Sequence, residues 1–384
     1  MKARELTPKL LAWAGALPIV TLTGPRQSGK TTLCRAVFPN RPYISLEEPD
    51  NRRMALEDPR GFLRRFKESG AVLDEVQNAP ELLSYLQGEV DADARPGRFV
   101  LTGSQNLAIM AAVSQSLAGR TAVATLLPFS LREAFPDGNP PPLWETLFRG
   151  FYPRVLDTPL PASETLSFYV STYLERDVRA LLNVGDFARF ETFLRLCAGR
   201  TGQILNYSDI AADAGIAVNT AKSWLSALEA SYIVRRLRPW AANVGKQLSK
   251  APKLYFLDTG LACNLLGIST PAQLETHPLR GAVFETFVVA ERWKRLANLG
   301  LRDNLFYYRD SRKTEIDLVV ETPDGFELCE IKSGATAASD WFAPIRKVAD
   351  LLPRVARRTI ICGSDSELPP PSHGGVEVLG WRQF

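Results

Sequence analysis

Apolar and polar positions alternate along the first third of the chain in a pattern typical of strands that are each followed by a helix. Short apolar runs end in polar or glycine-rich turns and are separated by segments with helical spacing. This order of elements builds a parallel sheet with helices on both faces. The pattern predicts an α/β domain over residues 1–135, with strands at Ile19–Thr23, Pro42–Leu46, Ala71–Asp74, Arg98–Thr102 and Thr121–Leu126.

The pattern changes after this domain. A run of breaker residues from Pro136 to Pro142 interrupts the periodicity and predicts a linker. Residues 143–275 have mainly helical spacing, including a helix predicted over Ser163–Leu182 that carries the charged cluster Glu175–Arg179. We interpret this cluster as a solvated or ion-paired helix face. An arginine offered to a neighbouring subunit is the alternative.

Within the helical region, residues from about 204 to 240 predict a winged helix-turn-helix. Ser208 can cap a short helix through Ala214, and Gly215 makes the turn to a second helix over Val218–Ala230. A wing strand is predicted over Tyr232–Leu237. The outer face of the second helix carries side chains suited to phosphates and base edges, namely Asn219, Thr220, Lys222 and Ser223.

The α/β pattern returns over residues 278–384, the third predicted domain. A helix is expected from Leu279 to about Asn298, with Glu285 as a lone carboxylate among its apolar positions. A good hairpin turn at Thr322–Gly325 joins the last two of three strands. These strands are predicted at Leu305–Tyr308, Glu315–Glu321 and Phe326–Ile331.

A complete phosphate-binding pattern, GxxxxGK[ST], lies between the first predicted strand and a helix predicted over Thr32–Phe38. In such a loop, backbone N–H groups turn inward around the phosphates, and glycines permit the tight path. We expect Lys30 to bind the β- and γ-phosphates of ATP and Thr31 to bind Mg²⁺. The candidate nucleotide-binding residues are Gly24, Pro25, Arg26, Gln27, Ser28, Gly29, Lys30, Thr31 and Thr32.

Two carboxylates follow the third predicted strand in the arrangement of a Walker B motif. Asp74 would hold Mg²⁺, and Glu75 would orient and deprotonate the attacking water. Ser104 and Gln105 follow the next strand, so we expect them beside the γ-phosphate, because doubly wound proteins bind ligands at the carboxyl ends of their strands. For each of these two residues a plain turn is the alternative.

Arg120 precedes the last predicted strand of the first domain. It is a candidate for the positive charge that phosphoryl transfer needs as negative charge develops on the γ-phosphate oxygens. A surface or ion-paired arginine is the alternative.

Composition limits the class of protein without identifying a partner. With 45% hydrophobic and 23% charged residues, the chain is typical of soluble globular proteins, and its net charge of +4 is too small to indicate nucleic acid. The five cysteines are scattered and form no CxxC pair, which favours reduced thiols and no zinc site. No apolar run approaches membrane-spanning length. We expect a cytoplasmic protein.

Basic residues concentrate between Val218 and Lys253. This segment has one acidic residue, Glu229, and a local charge of +6. Such a patch favours DNA as a partner, although winged helices also serve as protein-interaction modules. The seven basic residues are Lys222, Arg235, Arg236, Arg238, Lys246, Lys250 and Lys253.

The last predicted domain carries a candidate hydrolytic metal site. Alternation puts Glu330 and Lys332 on one face of their strand, and the hairpin brings Asp317 alongside. We expect Glu285, Asp317 and Glu330 to hold Mg²⁺ and Lys332 to orient or activate water beside a phosphodiester. Residues of an exposed hairpin or a buried charge network are the alternatives.

The assembled motifs resemble a known family, the bacterial and archaeal AAA-type ATPases of the GPRQxGKTT, LDEVQ and LTGSQ pattern, fused to a C-terminal domain of unknown function. The resemblance covers nearly the whole chain. Its ATPase motifs stand at Gly24–Thr32, Leu73–Gln77, Leu101–Gln105, Leu117–Arg120 and Leu127–Ser130. Its C-terminal motifs stand at Tyr173–Arg179, Lys253–Leu261, Gly281–Thr286, Glu315–Val319 and Glu330–Lys332.

The C-terminal motifs are also similar to the PD-(D/E)XK nuclease core, with Glu285, Asp317, Glu330 and Lys332 matching its acids and lysine. This resemblance implies a restriction-endonuclease-like fold for residues 278–384. The ATPase resemblance implies a ring oligomer in which an arginine completes a neighbour's site.

Two functions are consistent with these motifs. In the first, Mg-ATP hydrolysis drives remodelling, translocation or cleavage of DNA held by the winged helix and the nuclease-like domain. In the second, the protein is a nucleotide-dependent switch that binds a protein partner and has no nuclease activity. The basic segment and the Asp317, Glu330 and Lys332 set favour the first.

Overall fold

Five short strands in the first part of the chain form one parallel sheet. The computed structural model describes residues 2–104, 116–174, 187–241, 251–366 and 372–384. The strands are β1 (Ile19–Thr23), β2 (Tyr43–Ser45), β3 (Ala71–Asp74), β4 (Phe99–Thr102) and β5 (Thr121–Thr125). Their order is β2-β3-β4-β1-β5, and the pairing of Ile19 with both Phe99 and Thr121 is parallel. The predicted parallel sheet is confirmed.

Apolar side chains cover both faces of this sheet. All residues of β1, β3 and β4 are buried, as expected for inner strands between two layers of helices. One layer packs Phe62 and Leu86 against the sheet, and the other packs Leu10 and Leu33. The helices of this part are α1 (Thr7–Ala14), α2 (Lys30–Val37), α3 (Pro49–Glu57), α4 (Pro59–Arg64) and α5 (Leu82–Ala92).

A second sheet has eight strands of mixed direction. They are β6 (Gln203–Ile204), β7 (Val234–Pro239), β8 (Lys253–Phe256), β9 (Leu305–Arg309), β10 (Glu315–Thr322), β11 (Gly325–Lys332), β12 (Val355–Cys362) and β13 (Glu377–Gly380). Their order is β13-β12-β11-β10-β9-β7-β8-β6. The predicted hairpin joins β10 to β11, with Thr322 opposite Gly325.

The strand predicted as a wing lies inside this second sheet. β7 pairs antiparallel with β8, where Val234 lies opposite Phe256, and parallel with β9, where Arg238 lies opposite Phe306. Both of its edges therefore contribute hydrogen bonds to the sheet. The pairing with β9 therefore joins the predicted wing strand to the strands of the third predicted domain.

The helices of the remaining chain precede, connect and cover these strands. The predicted helix pair is present as α11 (Tyr207–Asp213) and α12 (Val218–Ala230), and Gly215 between them has a φ of 65°. The first of the pair is capped by Asn206, which accepts a hydrogen bond from the Ser208 N–H at 3.0 Å, rather than by Ser208 itself. These helices are α6 (Leu131–Ala134), α7 (Leu143–Arg149), α8 (Pro153–Asp157), α9 (Ala162–Tyr169), α10 (Phe187–Gly199), α11 (Tyr207–Asp213), α12 (Val218–Ala230), α13 (Thr259–Leu265), α14 (Pro271–Thr276), α15 (Arg280–Leu299) and α16 (Phe342–Ala349). Within the described ranges, none of the helices combines the length and apolar character needed to cross a membrane.

The chain divides into two units. The first comprises Met1–Phe129, Ala230–Tyr232 and Lys294–Arg302, and the second comprises Ser130–Glu229, Ile233–Trp293 and Asp303–Phe384. The sequence predicts separate domains over 143–275 and 278–384. The structure places most of both in the second unit, because β6, β7 and β8 share one sheet with β9 to β13.

Candidate functional site

The phosphate loop connects β1 to α2 at the carboxyl edge of the parallel sheet. Gly24 has a φ of 145°, and a Cβ atom there would lie 2.2 Å from the carbonyl oxygen of Leu126, so the position requires glycine. Gln27 and Gly29 also have positive φ, at 60° and 90°. Such backbone turns direct successive N–H groups into one concavity, which suits an anion at a helix N-terminus.

The predicted lysine of the loop is buried. The Lys30 ammonium donates hydrogen bonds to the carbonyl oxygens of Gly24 at 3.0 Å and Pro25 at 2.8 Å. Burial lowers the pKa of Lys30 to about 8. These bonds hold the ammonium group inside the loop, next to the residues predicted to surround the phosphates.

A second basic residue, Arg4, bonds to the backbone of the loop. The guanidinium group of Arg4 donates to the carbonyl oxygens of Ser28 at 3.2 Å and Leu127 at 2.6 Å. It also lies 4.6 Å from the ring centroid of Phe129. Sequence analysis missed Arg4, because no local motif contains it. Its contacts fix the loop backbone between the N-terminal segment and the chain beyond β5.

The predicted magnesium ligands lie together. The Thr31 hydroxyl donates to Asp74 Oδ2 at 2.8 Å. The hydroxyl groups of Tyr43 and Thr102 donate to the two oxygens of the same carboxylate. Tyr43 was missed by sequence analysis, and the guanidinium carbon of Arg35 lies 3.9 Å from its ring centroid. A carboxylate and a hydroxyl at this spacing fit a Mg²⁺ ion, which prefers oxygen ligands.

The predicted base lies next to this carboxylate. Glu75 has a left-handed backbone, with a φ of 57° and a ψ of 48°, a conformation that is uncommon for residues other than glycine. The Ser104 hydroxyl donates to Glu75 Oε2 at 3.1 Å, and the Gln77 amide donates to the same oxygen. The structure therefore brings Ser104 and Glu75 together, whereas Gln105 lies outside the described residues.

Arg120 is not part of this site. It immediately precedes β5 at the amino edge of the sheet, where its carbonyl oxygen accepts a hydrogen bond from the Ile19 N–H at 3.2 Å. The length of β1 separates this edge from the phosphate loop, roughly 16 Å at about 3.3 Å per residue. The Arg120 guanidinium pairs with both carboxylate oxygens of Asp91, at 2.5 and 2.8 Å. Arg120 therefore matches the alternative given for it, an ion-paired arginine.

In the second unit, the four predicted nuclease-like residues also lie together. We call Glu285, Glu315, Asp317 and Glu330 the carboxylate cluster. Glu285 comes from α15, the next two from β10 and the last from β11. The Lys332 ammonium lies 2.5 Å from Glu330 Oε1 and 4.0 Å from Asp317 Oδ2. The Ile331 N–H donates to Asp317 Oδ2 at 2.9 Å.

A second lysine lies among these carboxylates. The Lys253 ammonium is 2.8 Å from Glu285 Oε1, 2.6 Å from Glu315 Oε1 and 3.6 Å from Asp317 Oδ1. Sequence analysis assigned Lys253 to the basic patch, but its side chain is only 3% exposed. Tyr255, two positions along the same strand, donates to Glu285 Oε1 at 2.5 Å. The strand period of two predicts that Lys253 and Tyr255 share one face, but no sequence signal brings that face to the cluster.

Burial and neighbouring charge shift the titration of the cluster. Burial and the adjacent Asp317 charge raise the pKa of both Glu285 and Glu330. Burial lowers the pKa of Lys253, but the carboxylates of Glu285, Asp317 and Glu315 raise it overall. Across the described parts of the chain, no three or more His, Cys, Asp or Glu side chains are arranged to hold a metal ion. The predicted ligands Glu285, Asp317 and Glu330 pair with Lys253 and Lys332.

The described residues of the basic segment do not form one exposed surface. Arg236 pairs with Glu229, at 2.8 Å from Nε to Oε2, and Arg235 pairs with Asp303 at 2.7 Å. Lys253 is buried, and Lys246 and Lys250 lie outside the described residues, as does the Glu175–Arg179 cluster. The predicted outer face of α12 is solvent-accessible: Asn219, Lys222 and Ser223 are exposed and Thr220 is half-buried.

Comparison with known proteins agrees with the first part of this description. Residues 17–135 match a family model described as an AAA domain. Residues 141–272 and 280–384 each match a domain of unknown function, DUF8612 and DUF4143. The AAA match supports an AAA-type, ATPase-like domain for the parallel sheet and its phosphate loop.

Similar proteins are known from other organisms. Uncharacterized protein Rv2008c of Mycobacterium tuberculosis and Uncharacterized protein Mb2031c of Mycobacterium bovis are each 34% identical to the chain over 338 residues, which is 85% of this chain and 74% of the relative. The Walker-type ATPase PABY2304 of Pyrococcus abyssi is 17% identical and matches with a TM-score of 0.40 over 68% of this chain and 94% of its own. That TM-score is too low to establish a common overall fold.

Proposed function

The chain belongs to the same family as the two mycobacterial proteins, with an AAA domain at residues 17–135, and we propose that this domain hydrolyses Mg-ATP. The observation that carries the proposal is the convergence of Thr31, Asp74 and Glu75 at the carboxyl edge of the parallel sheet. That edge also holds the phosphate loop.

Binding of ATP would use the backbone of the loop and Lys30. The positive φ values of Gly24, Gln27 and Gly29 turn N–H groups inward. The Lys30 ammonium would exchange its bonds with the Gly24 and Pro25 carbonyl oxygens for bonds with the β- and γ-phosphates. Arg4 would keep the loop in this shape, because it holds the Ser28 carbonyl oxygen.

Hydrolysis would use Asp74 and Glu75 in different roles. Thr31 and Asp74 would hold Mg²⁺, which, when bound, neutralises charge on the β- and γ-phosphate oxygens. Glu75 would orient a water molecule toward the γ-phosphate and accept its proton. Ser104 and Gln77 would keep the Glu75 carboxylate in place, since both donate hydrogen bonds to its Oε2.

The test compares Lys30→Ala with Glu75→Gln. The first variant should lose tight ATP binding because it lacks the charge at the phosphates. The second should bind ATP and release phosphate at a rate lower by about 100-fold to 10,000-fold, the usual contribution of a general base. Matched controls are Lys67→Ala and Glu57→Gln, which alter exposed residues of the same unit. Parental phosphate release by Glu75→Gln would contradict its role as base.

A second candidate function, action on DNA, is favoured by one observation. The outer face of α12 exposes Asn219, Lys222 and Ser223, side chains that can bind phosphates and base edges. ATP hydrolysis would then drive remodelling or translocation of the bound DNA. The ion pairs of Arg235 and Arg236 reduce the charge available for such binding, so we expect modest affinity that falls with salt.

The DNA proposal is tested by the ATPase rate with and without duplex, single-stranded and branched DNA. Stimulation that Lys222→Ala weakens and Lys67→Ala leaves unchanged would support it. Equal rates in all four conditions would favour the alternative, a nucleotide-dependent switch that binds a protein partner. Sedimentation with and without ATP tests the ring oligomer that the family resemblance implies.

A further inference from the structure

Lys253 is a buried lysine whose charged group lies between carboxylates from two elements. Its ammonium is within 3.6 Å of Glu285, Glu315 and Asp317. We propose that Lys253 is the resident cation of the carboxylate cluster, where it takes the place of a divalent metal ion and prevents Mg²⁺ or Mn²⁺ from binding.

The distances support this role. A magnesium ion needs oxygen ligands at about 2.1 Å. To bind it, these carboxylates would have to surround the ion in the space between them. The Lys253 ammonium already occupies the position between them, at 2.6 Å from Glu315 Oε1 and 2.8 Å from Glu285 Oε1. A metal ion and the ammonium group cannot both fill this volume.

The position of Lys253 is fixed by its strand. Lys253 pairs with Ile204 of β6 on one side and with Leu237 of β7 on the other. Its ammonium also lies 5.6 Å from the ring centroid of Tyr307. With strands on both sides and its side chain only 3% exposed, Lys253 belongs to the interior of the sheet and is not a surface group that happens to reach the acids.

The charge of the cluster is nearly balanced without a metal. Its four carboxylates face the ammonium groups of Lys253 and Lys332 and the guanidinium group of Arg309, which lies 3.3 Å from Glu315 Oε2. A divalent ion entering this set would meet two ammonium groups at short range. Repulsion between such charges is substantial in a partly buried site.

A further observation concerns a carboxylate oxygen of the cluster that is available to a cation once Lys253 is removed. Among the described residues, Glu330 Oε2 has no hydrogen-bond partner, although the Glu330 side chain is only 5% exposed. Buried carboxylate oxygens normally have a partner. As placed among the described residues, this oxygen, Glu285 and Asp317 do not form a ligand set, so a divalent ion would bind only if these side chains move together once the ammonium is removed.

This inference is independent of ATP hydrolysis, because every residue of the cluster lies outside the AAA domain at 17–135. The inference has a consequence for the C-terminal domain, residues 278–384. This domain would keep the acids of a nuclease-like core while Lys253 neutralises them, so we do not expect metal-dependent cleavage of DNA.

The experiment is a nucleotide-free titration of the full chain with Mn²⁺, followed by electron paramagnetic resonance of the free ion. It compares the parent, Lys253→Met, Lys253→Met/Asp317→Asn and the control Lys347→Met, which alters a lysine that is 49% exposed and lies outside the cluster. The site formed by Thr31 and Asp74 is the same in all these proteins, so differences in Mn²⁺ binding between them come from the carboxylate cluster.

We expect Lys253→Met to bind one Mn²⁺ ion more than the parent. The affinity of the cluster for Mn²⁺ should rise at least about tenfold, because a nearby positive charge has been removed. Asp317→Asn should abolish that gain, and Lys347→Met should show none. If Lys253→Met does not fold, Lys253→Met/Glu315→Gln replaces it, since that pair keeps the net charge of the cluster. Asp317→Asn is also made alone in the parent, and a loss of Mn²⁺ binding in that single variant would overturn the proposal. A folded variant without the gain would do so as well.

Discussion

The nucleotide site and the carboxylate cluster contain the same kinds of residue in opposite arrangements. In the first, the Lys30 ammonium bonds backbone carbonyl oxygens, and the Asp74 carboxylate accepts hydrogen bonds from hydroxyl groups. In the second, the Lys253 ammonium bonds the carboxylates directly. On our two proposals, the position of the lysine, more than the number of acids, would decide whether a metal ion can bind.

The largest effect is expected on ATP hydrolysis when Asp74 of the nucleotide site is changed. Asp74→Asn keeps the shape of the side chain but removes the charge that would hold Mg²⁺. We predict that phosphate release at saturating ATP falls by on the order of 100-fold or more, because charge stabilisation at the metal dominates phosphoryl transfer. Asp50→Asn, at an exposed carboxylate of the same unit, is the control. Normal turnover by Asp74→Asn would mean that Asp74 does not hold Mg²⁺, and the contrast between the two sites would fail.

The next effect concerns the stability of the cluster. Lys253→Met leaves buried carboxylates without their cation, and we predict that the free energy of unfolding falls by about 3–5 kcal/mol. Lys332→Met should cost less, because its side chain is 33% exposed. Urea denaturation followed by circular dichroism measures both. A larger loss in Lys332→Met would show that Lys253 is not the principal counter-charge.

A smaller effect is expected at Tyr43, whose hydroxyl donates to the Asp74 oxygen that also accepts from Thr31. Tyr43→Phe should lower the Mg²⁺ concentration needed for half-maximal ATPase activity by about threefold to tenfold, because one competing donor to a charged group is removed. Tyr85→Phe, at an exposed tyrosine, serves as control. An increased Mg²⁺ requirement would mean that Tyr43 helps to hold the ion.

An effect of the same size as that at Tyr43 is expected at Arg4. Arg4→Met removes the hydrogen bonds to the Ser28 and Leu127 carbonyl oxygens. We predict that KM for ATP rises by about threefold to tenfold while kcat changes little, since the loop binds substrate and transition state alike. Steady-state kinetics separates the two constants, with Lys67→Met as the control. A fall in kcat with unchanged KM would indicate that Arg4 acts on the reacting groups.

The parallel sheet could be predicted from the sequence because its signals are local. Each strand is a short apolar run next to a turn, and β1 and β3 have the predicted bounds. The second pairing of the predicted wing strand could not be predicted, because its partner β9 is distant in sequence. β7 pairs with β8 and with β9, and the pairing of Arg238 with Phe306 joins segments that sequence spacing had assigned to different domains.

The same distinction applies to the candidate sites. Lys30, Thr31, Asp74 and Glu75 belong to contiguous motifs, and the structure places them at one edge of the sheet. Tyr43 reaches Asp74 across 31 positions, and Arg4 reaches Leu127 across 123 positions. Lys253 carried a positive charge in a basic segment, and only the fold reveals that acids surround it. Partners at such separations leave no periodic signal in one sequence.

The central claim is that a divalent ion binds at Asp74 and is excluded from the carboxylate cluster. It is tested most directly by Mn²⁺ binding to the parent protein with a non-hydrolysable ATP analogue, repeated for Asp74→Asn and Asp317→Asn. The account predicts that Asp74→Asn abolishes the bound ion and that Asp317→Asn leaves it unchanged. Loss of bound Mn²⁺ in Asp317→Asn, or full retention in Asp74→Asn, would contradict it.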